Sequence, residues 1–335
     1  MKALLKRGMT TLTLLLMIAV FAGCASEGTT QGANEENNSQ SNGQVGDYPE
    51  KPIQVIVPAG AGGDTDANAR LLGKYLEEEL GQSVVISNVT GAGGTVGARE
   101  VLDADADGYT VLFFHNSLLL NRILGLVDFS YDSFKLAGIP VLDHGNTFVV
   151  SGDSPFEDLQ DLIDYAREHP GEVSIATEVG GFTHLQLLAL EQDQDIELNI
   201  VDVGGASDKV AALLGGHIDI IPTSLGLVKD YIESGEMRTL GIMSRERVDI
   251  MSDVPTFTEQ GVNSSFEKFF FYGFHPDTPD EIVETFSQAV ERVVQTEEYV
   301  AEAEEFLVTP TFMSPEKAFE YIQETEDYYI ELSEE

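Results

Sequence analysis

The chain has 335 residues, 58 of them acidic and 18 Lys or Arg, giving a formal charge of −40 at neutral pH. That charge excludes nucleic acid as a partner and opposes direct adsorption to anionic lipid, since both are themselves polyanionic. A single cysteine, Cys24, excludes an intramolecular disulfide, so stability has to come from an apolar core.

Lys2, Lys6 and Arg7 precede the apolar run "TLTLLLMIAVFA", which is too short to span a bilayer comfortably and ends in Phe21-Ala22-Gly23-Cys24. This is the pattern of a lipoprotein signal: residues 1–23 are expected to be removed and Cys24 to carry the lipid. The protein is then exported and anchored to the outer face of the cell membrane or on the periplasmic side. The polar, glycine-bearing stretch that follows, to residue 47, cannot bury enough apolar surface to offset its ordering entropy, and reads as a tether with a reach of roughly 26 Å. The folded body begins at Tyr48, and its length suits two α/β domains.

From there strands and helices alternate. Strands are expected at 53–59, 83–89 and 109–114, with helices at 66–80 and 95–104 between them. A second series follows: strands at 147–152, 173–177, 198–203, 218–224 and 238–244, with helices at 156–171, 183–193, 207–216 and 225–235. The tail reads as two helices. Strands separated by helices predict parallel sheets, here two of them in one α/β chain. The aromatic run "FEKFFFYGF" (266–274) is expected in the core and hinge, at the return crossing between lobes.

The first strand ends in Gly60-Ala61-Gly62-Gly63 and the second in Gly91-Ala92-Gly93-Gly94, each feeding a helix. In open parallel sheets ligands lie beyond the carboxyl ends of the strands. A helix start there offers unpaired N–H groups and a partial positive charge, and glycine lets a ligand approach them closely. Two such turns on neighbouring strands are able to grip one carboxylate without arginine. Neither is a P-loop, which needs Gly-Lys-Ser/Thr, and Val96 stands where a dinucleotide fingerprint needs its third glycine. No cofactor is indicated.

"YPEKPIQVIVPAGAGGDTDANARLL", "GQSVVISNVTGAGGTVGA" and "DADGYTVLF" resemble the solute receptors of tripartite tricarboxylate transporters, the Bug family. The likeness continues through "THLQLLAL", the segment from Gly215 to Gly261, and "FYGFHPDTPDEIV". The resemblance implies a type II periplasmic-binding fold whose two lobes close on a small carboxylate and deliver it to a membrane permease. Lobe 1 would comprise 48–146 plus 274–335, and lobe 2 would comprise 147–273. Asp66 matches the acidic residue of the first turn, and Gly91–Gly94 match the second turn. Both loops would hold one ligand carboxyl group with ordered water. In lobe 2, Thr183 and His184 match a Ser/Thr-His pair and Gly205 matches a glycine that follows Pro-Tyr, here replaced by Asp202 and Val203. Thr223 and Ser224 stand in place of Asp-Asn. Losing that aspartate removes a partner for a ligand ammonium and favours a plain di- or tricarboxylate.

Thr177, at the end of its strand, joins the candidate contacts. His115 and Asn116 lie at the ligand end of the third strand, where either a ligand hydrogen bond or loop packing would account for them. Asp103, Asp105, Asp107 and Gly108 open like a calcium loop, but Phe114 occupies the position of the bidentate glutamate, so an exposed acidic turn is expected instead. His184 has no metal-binding companion at HxxH spacing and is expected to order its loop. No GxSxG elbow or free thiol offers a nucleophile, so no enzymatic activity is expected. Two rivals to a transport receptor stay open: a sensing module feeding a membrane signalling protein, and an α/β enzyme acting on a carboxylate.

Overall fold

The computed structural model describes residues 48–263 and 265–334; the expected signal sequence, Cys24 and the expected tether lie outside them. In chain order the first elements are β1 (Ile53–Val57), α1 (Asp64–Leu80), β2 (Val84–Asn88), α2 (Thr95–Leu102), β3 (Thr110–His115), α3 (Ser117–Ile123) and β4 (Lys135–Asp143). The middle section holds β5 (Asn146–Ser151), α4 (Leu159–Glu168), β6 (Ser174–Thr177), α5 (Phe182–Gln194), β7 (Asn199–Asp202), α6 (Ala206–Leu214), β8 (Ile220–Ser224), α7 (Leu225–Glu233) and β9 (Met237–Ile242). The last are β10 (Lys268–Phe274), α8 (Asp280–Val294), α9 (Glu297–Glu305), β11 (Thr309–Met313) and α10 (Pro315–Glu334).

The expected pair of sheets flanked by helices is present. One runs β11-β4-β10-β3-β1-β2 and the other β7-β6-β8-β5-β9. Pairing within each is mixed rather than mainly parallel. β1 is parallel to β2 and β3, and β6 to β7 and β8, as strand–helix–strand units require. β10 runs antiparallel to β3 and β4, and β5 antiparallel to β8 and β9. These are the strands by which the chain changes sheet, and each arrives from the opposite direction. β10, all but its last residue of which falls in the expected span of the second lobe, is a central strand of the first sheet.

Burial follows these layers. α1 and α8 cover one face of the first sheet, where Leu72, Leu76, Phe286 and Val290 meet Phe113, Phe270 and Tyr272. α10 packs on β4. The aromatic run lies in the core as expected: Phe269, Phe270, Phe271, Tyr272 and Phe274 are fully buried, and Phe113 stacks on Phe270 with centroids 5.4 Å apart. The tail is not simply two helices, because α9 and the edge strand β11 stand between α8 and α10. β4 and α3 also escape the strand–helix periodicity. β4 carries Gly138 and Pro140, which ordinarily argue against an interior strand, and its pairing with β11 is correspondingly broken between Pro310 and Met313. Among the described residues no helix is long and apolar enough to cross a membrane.

Candidate functional site

The loops at the carboxyl ends of the strands of both sheets converge on a cavity of about 310 Å3, at the lower end of the roughly 300–1,000 Å3 usual for small-molecule sites. From the first sheet come Gly60, Gly63, Asp64, Thr65, Thr90, Gly91, His115 and Ser117. From the second come Asn146, Glu178, Gly181, Phe182, Thr183, Gly204, Gly205, Asp208, Lys209, Thr223 and Ser224, and Lys268 enters from β10. The two sets of loops touch directly. Asn121 Nδ2 donates to Gly180 O at 2.8 Å, Phe182 N to Ser117 Oγ at 2.8 Å, and Ser207 Oγ to Ala61 O at 3.0 Å.

The first glycine turn behaves partly as anticipated. α1 starts directly after Gly63, so the N–H groups of Asp64 and Thr65 lack intrahelical acceptors and lie at the cavity wall. Gly60 and Gly63 line the cavity, whereas Ala61, Gly62 and Asp66 do not. The Asp66 carboxylate is engaged locally: it accepts from Gly62 N at 2.9 Å and Asn88 Nδ2 at 2.9 Å and pairs with Arg70 at 2.9 Å. Its role is to tie the turn to β2.

In the second turn only Gly91 reaches the cavity, beside Thr90. Gly91, Ala92, Gly93 and Gly94 all have positive φ, at 126°, 47°, 63° and 93°. Two of these glycines are needed for packing. A Cβ on Gly93 would lie 2.7 Å from Asn121 Nδ2 and 3.0 Å from Gly180 O, and one on Gly94 would overlap the Phe114 ring. Gly93 therefore makes room for the loop-to-loop hydrogen bond, not for close approach of a ligand.

His115 lines the cavity and is buried; its Nδ1 accepts from Ser117 N at 3.3 Å, which leaves the proton on Nε2. Burial, reinforced by Lys268, pushes its pKa well below the usual histidine value, so it is neutral. Asn116 is wholly buried elsewhere: it donates to Glu267 O at 3.0 Å and Tyr329 OH at 2.8 Å and accepts from Phe269 N at 3.0 Å. It clamps β10, so packing is its account. Thr183, Gly205, Thr223 and Ser224 line the cavity. Thr177 stands behind Thr183, with their hydroxyls 2.9 Å apart, and His184 accepts from Gly180 N at 3.5 Å, ordering its loop. The acidic turn at Asp107 is occupied by Lys51 at 2.9 Å and Tyr109 N at 3.1 Å. Among the described residues no group of three His, Cys, Asp or Glu is placed to hold a metal ion.

Sequence reasoning missed the charged residues of the cavity. Asp64 and Lys268 form a buried ion pair. Burial, the largest single influence, raises the Asp64 pKa, but the attraction and hydrogen bond of Lys268, helped by the other positive groups of the cavity, together outweigh it and bring the carboxyl down to about 2. Lys209, on the first turn of α6, is only 4% exposed. Burial lowers its pKa to about 8 despite the attraction of Asp64. Burial raises the Glu178 pKa, against the pull of Lys209. A signal for Lys268 was present in the sequence, since one lysine opens a mostly aromatic strand and a buried charge demands a partner. Lys209, in an ordinary amphipathic helix, carried none.

Comparisons with known proteins establish the family and the fold. The model of the tripartite tricarboxylate transporter family receptor matches residues 68–333. Protein BugT of Bordetella pertussis is 30% identical over 280 residues, covering 82% of this chain and 86% of BugT. The structure of periplasmic binding protein BugD aligns with a TM-score of 0.80 at 25% identity, over 85% of this chain and 97% of that one. MatC from Rhodopseudomonas palustris with bound malate, at 22% identity and a TM-score of 0.80, covers 85% of this chain and 99% of its own, and shows the shared fold. The fold is the two-lobed periplasmic-binding type, and the chain belongs to the tripartite tricarboxylate transporter receptor family, together with the Bug proteins.

Proposed function

We propose that the chain is an extracytoplasmic receptor that captures a small organic carboxylate, a di- or tricarboxylate in preference, and delivers it to the membrane subunits of a tripartite tricarboxylate-type transporter. The observation that carries this reading is the cavity itself. It is small, lies between loops of two sheets, and is walled by the start of α1, the second glycine turn, the Asp64–Lys268 pair and the ammonium of Lys209, unpaired among the described residues. Such a wall suits an anion. MatC, of the same fold, holds malate, a dicarboxylate. The lobes would be the two sheets with their helices, 48–146 plus 268–334 and 147–267, because β10 belongs to the first sheet and moves the return crossing from 273 to ahead of Lys268. Capture requires no bond to be made or broken. The Ser117 hydroxyl accepts from Phe182 N and so serves the contact between the two sets of loops.

A thermal-shift panel of carboxylates, amino acids, sugars and amines in high salt tests this. A ligand at about 100 times its Kd adds about 2.7 kcal/mol, which raises Tm by several degrees. Carboxylates should give that shift, and a shift with sugars or amines alone would sink the reading. The lipid anchor is a separate part of the proposal. Cys24→Ser should release the protein from the membrane fraction, and retention there would exclude acylation at Cys24 as the anchor.

A further inference from the structure

The two cavity lysines are not equivalent. Lys268 is neutralised by Asp64. For Lys209 no ion pair occurs among the described residues, and its one hydrogen bond is a long one, to Thr183 Oγ1 at 3.4 Å. An ammonium has three donors to place, and an unpaired one out of water is costly. The acidic groups nearby do not meet that need. Asp208 is turned to the start of its own helix, accepting from Gly205 N at 3.2 Å, and Asp64 is committed to Lys268. Glu178 feels Lys209 but makes no ion pair with it. On the same wall Thr223 is 5% exposed, and its hydroxyl is buried without a hydrogen-bond partner among the described residues. A buried cation and a threonine with an orphan hydroxyl thus line one cavity from the second-sheet side.

Resting on the carboxylate reading above, we infer that Lys209, with Thr223, forms a second acid-binding subsite that selects ligands carrying two acid groups, one for the turns and one for the ammonium. Thr183, held by Thr177, positions the Lys209 head. The subsite leaves the unliganded protein with an unmet charge, which the ligand's second carboxylate neutralises. Lys209, with a pKa near 8 when empty, gains a proton affinity when that carboxylate arrives. Binding of a diacid therefore takes up protons above about pH 8, and its affinity falls as the pH rises further. Lys268, Asp64, Glu178, Asp208 and His115 are the other titratable groups lining this cavity among the described residues, and of these neither the low carboxyl of Asp64 nor the neutral His115 changes charge in that range.

Calorimetric titration of the whole chain with succinate, malate and adipate, and with the monomethyl ester of each, tests the inference. At least one diacid should bind at least about tenfold tighter than its half-ester, the loss expected when a buried charge pair forgoes one partner. Lys209→Met should bring that diacid down to the affinity of the half-ester and abolish proton uptake at pH 8.5. Its ligand-free Tm should equal or exceed that of the wild type, which also shows that the variant folds. Equal affinity for diacid and half-ester in the wild type overturns the subsite without recourse to any variant, as does undiminished diacid binding by Lys209→Met. If acids bind but without this discrimination, the subsite alone falls; if none of the acids binds, the carboxylate reading falls with it.

Discussion

Asp64 shows how a single residue in this protein serves folding and site at once. It occupies the first position of α1, where a carboxylate is favoured by the helix dipole, and it is the sole ion-pair partner of Lys268 among the described residues. Its folded pKa lies below its ordinary value of 3.8. The stabilisation is therefore complete above about pH 4 and is lost as the pH falls through about 2. Asp64→Asn should cost about 3–5 kcal/mol at neutral pH, because it leaves a buried ammonium unpaired. Urea unfolding of the ligand-free protein at pH 7, 4 and 2.5 should show that deficit shrinking at the acid end. A deficit independent of pH would mean that packing, not the charge pair, sets the cost. Ala92 is a contrasting residue: it holds φ at 47° in a turn where glycine ordinarily carries that geometry.

At the scale of elements, the least expected contact joins α7 to the tail. Gly226 sits on the first turn of α7, and a Cβ there would overlap the carbonyl of Phe306, just beyond α9. Nearby, Lys229 pairs with Glu305 at 3.4 Å. α7 follows β8 in the second sheet and α9 precedes β11 in the first, so this is a close approach of backbone between elements of the two sheets. Gly226→Ala should lower stability by about 1–3 kcal/mol, the usual cost of overpacking, whereas Gly226 in an isolated helix would gain from the change. A rise in Tm would show that the two elements do not meet this closely. Element types along β1–β3 and β5–β9 were legible in the sequence because each is a short β-branched or apolar run bounded by turn residues. α3 and β4 were not: "SLLLNRI" is too short and too apolar for periodicity to decide, and β4 is disguised by Gly138 and Pro140.

Across the whole molecule, the cavity is closed by three hydrogen bonds between loops that belong to different sheets. Asn121 is the most informative, since its amide donates to Gly180 O and neither residue lines the cavity. Asn121→Ala should weaken carboxylate binding by roughly 5- to 10-fold, the worth of about one buried hydrogen bond. Scattering should show a larger radius of gyration in the ligand-free variant, with saturating ligand restoring compactness. Unchanged affinity together with an unchanged radius would mean that this bond does not hold the cleft shut.

Local order decided much of this protein before any folding. The alternation of strand and helix, the two glycine turns and the aromatic run are each written in contiguous residues, because steric and hydrophobic periodicity act over a few positions. Of the paired turns, Gly60, Gly63 and Gly91 line the cavity, as do the family-matched Thr183, Gly205, Thr223 and Ser224. Only the tertiary structure decided which turn atoms face the cavity, turning Asp66, Gly93 and Asn116 to structural duty, and which charges stand there. Asp64 and Lys268 are remote in sequence, and Lys209 comes from another sheet. Their meaning arises from burial and from the partner each has or lacks, and burial is a property of the folded chain alone.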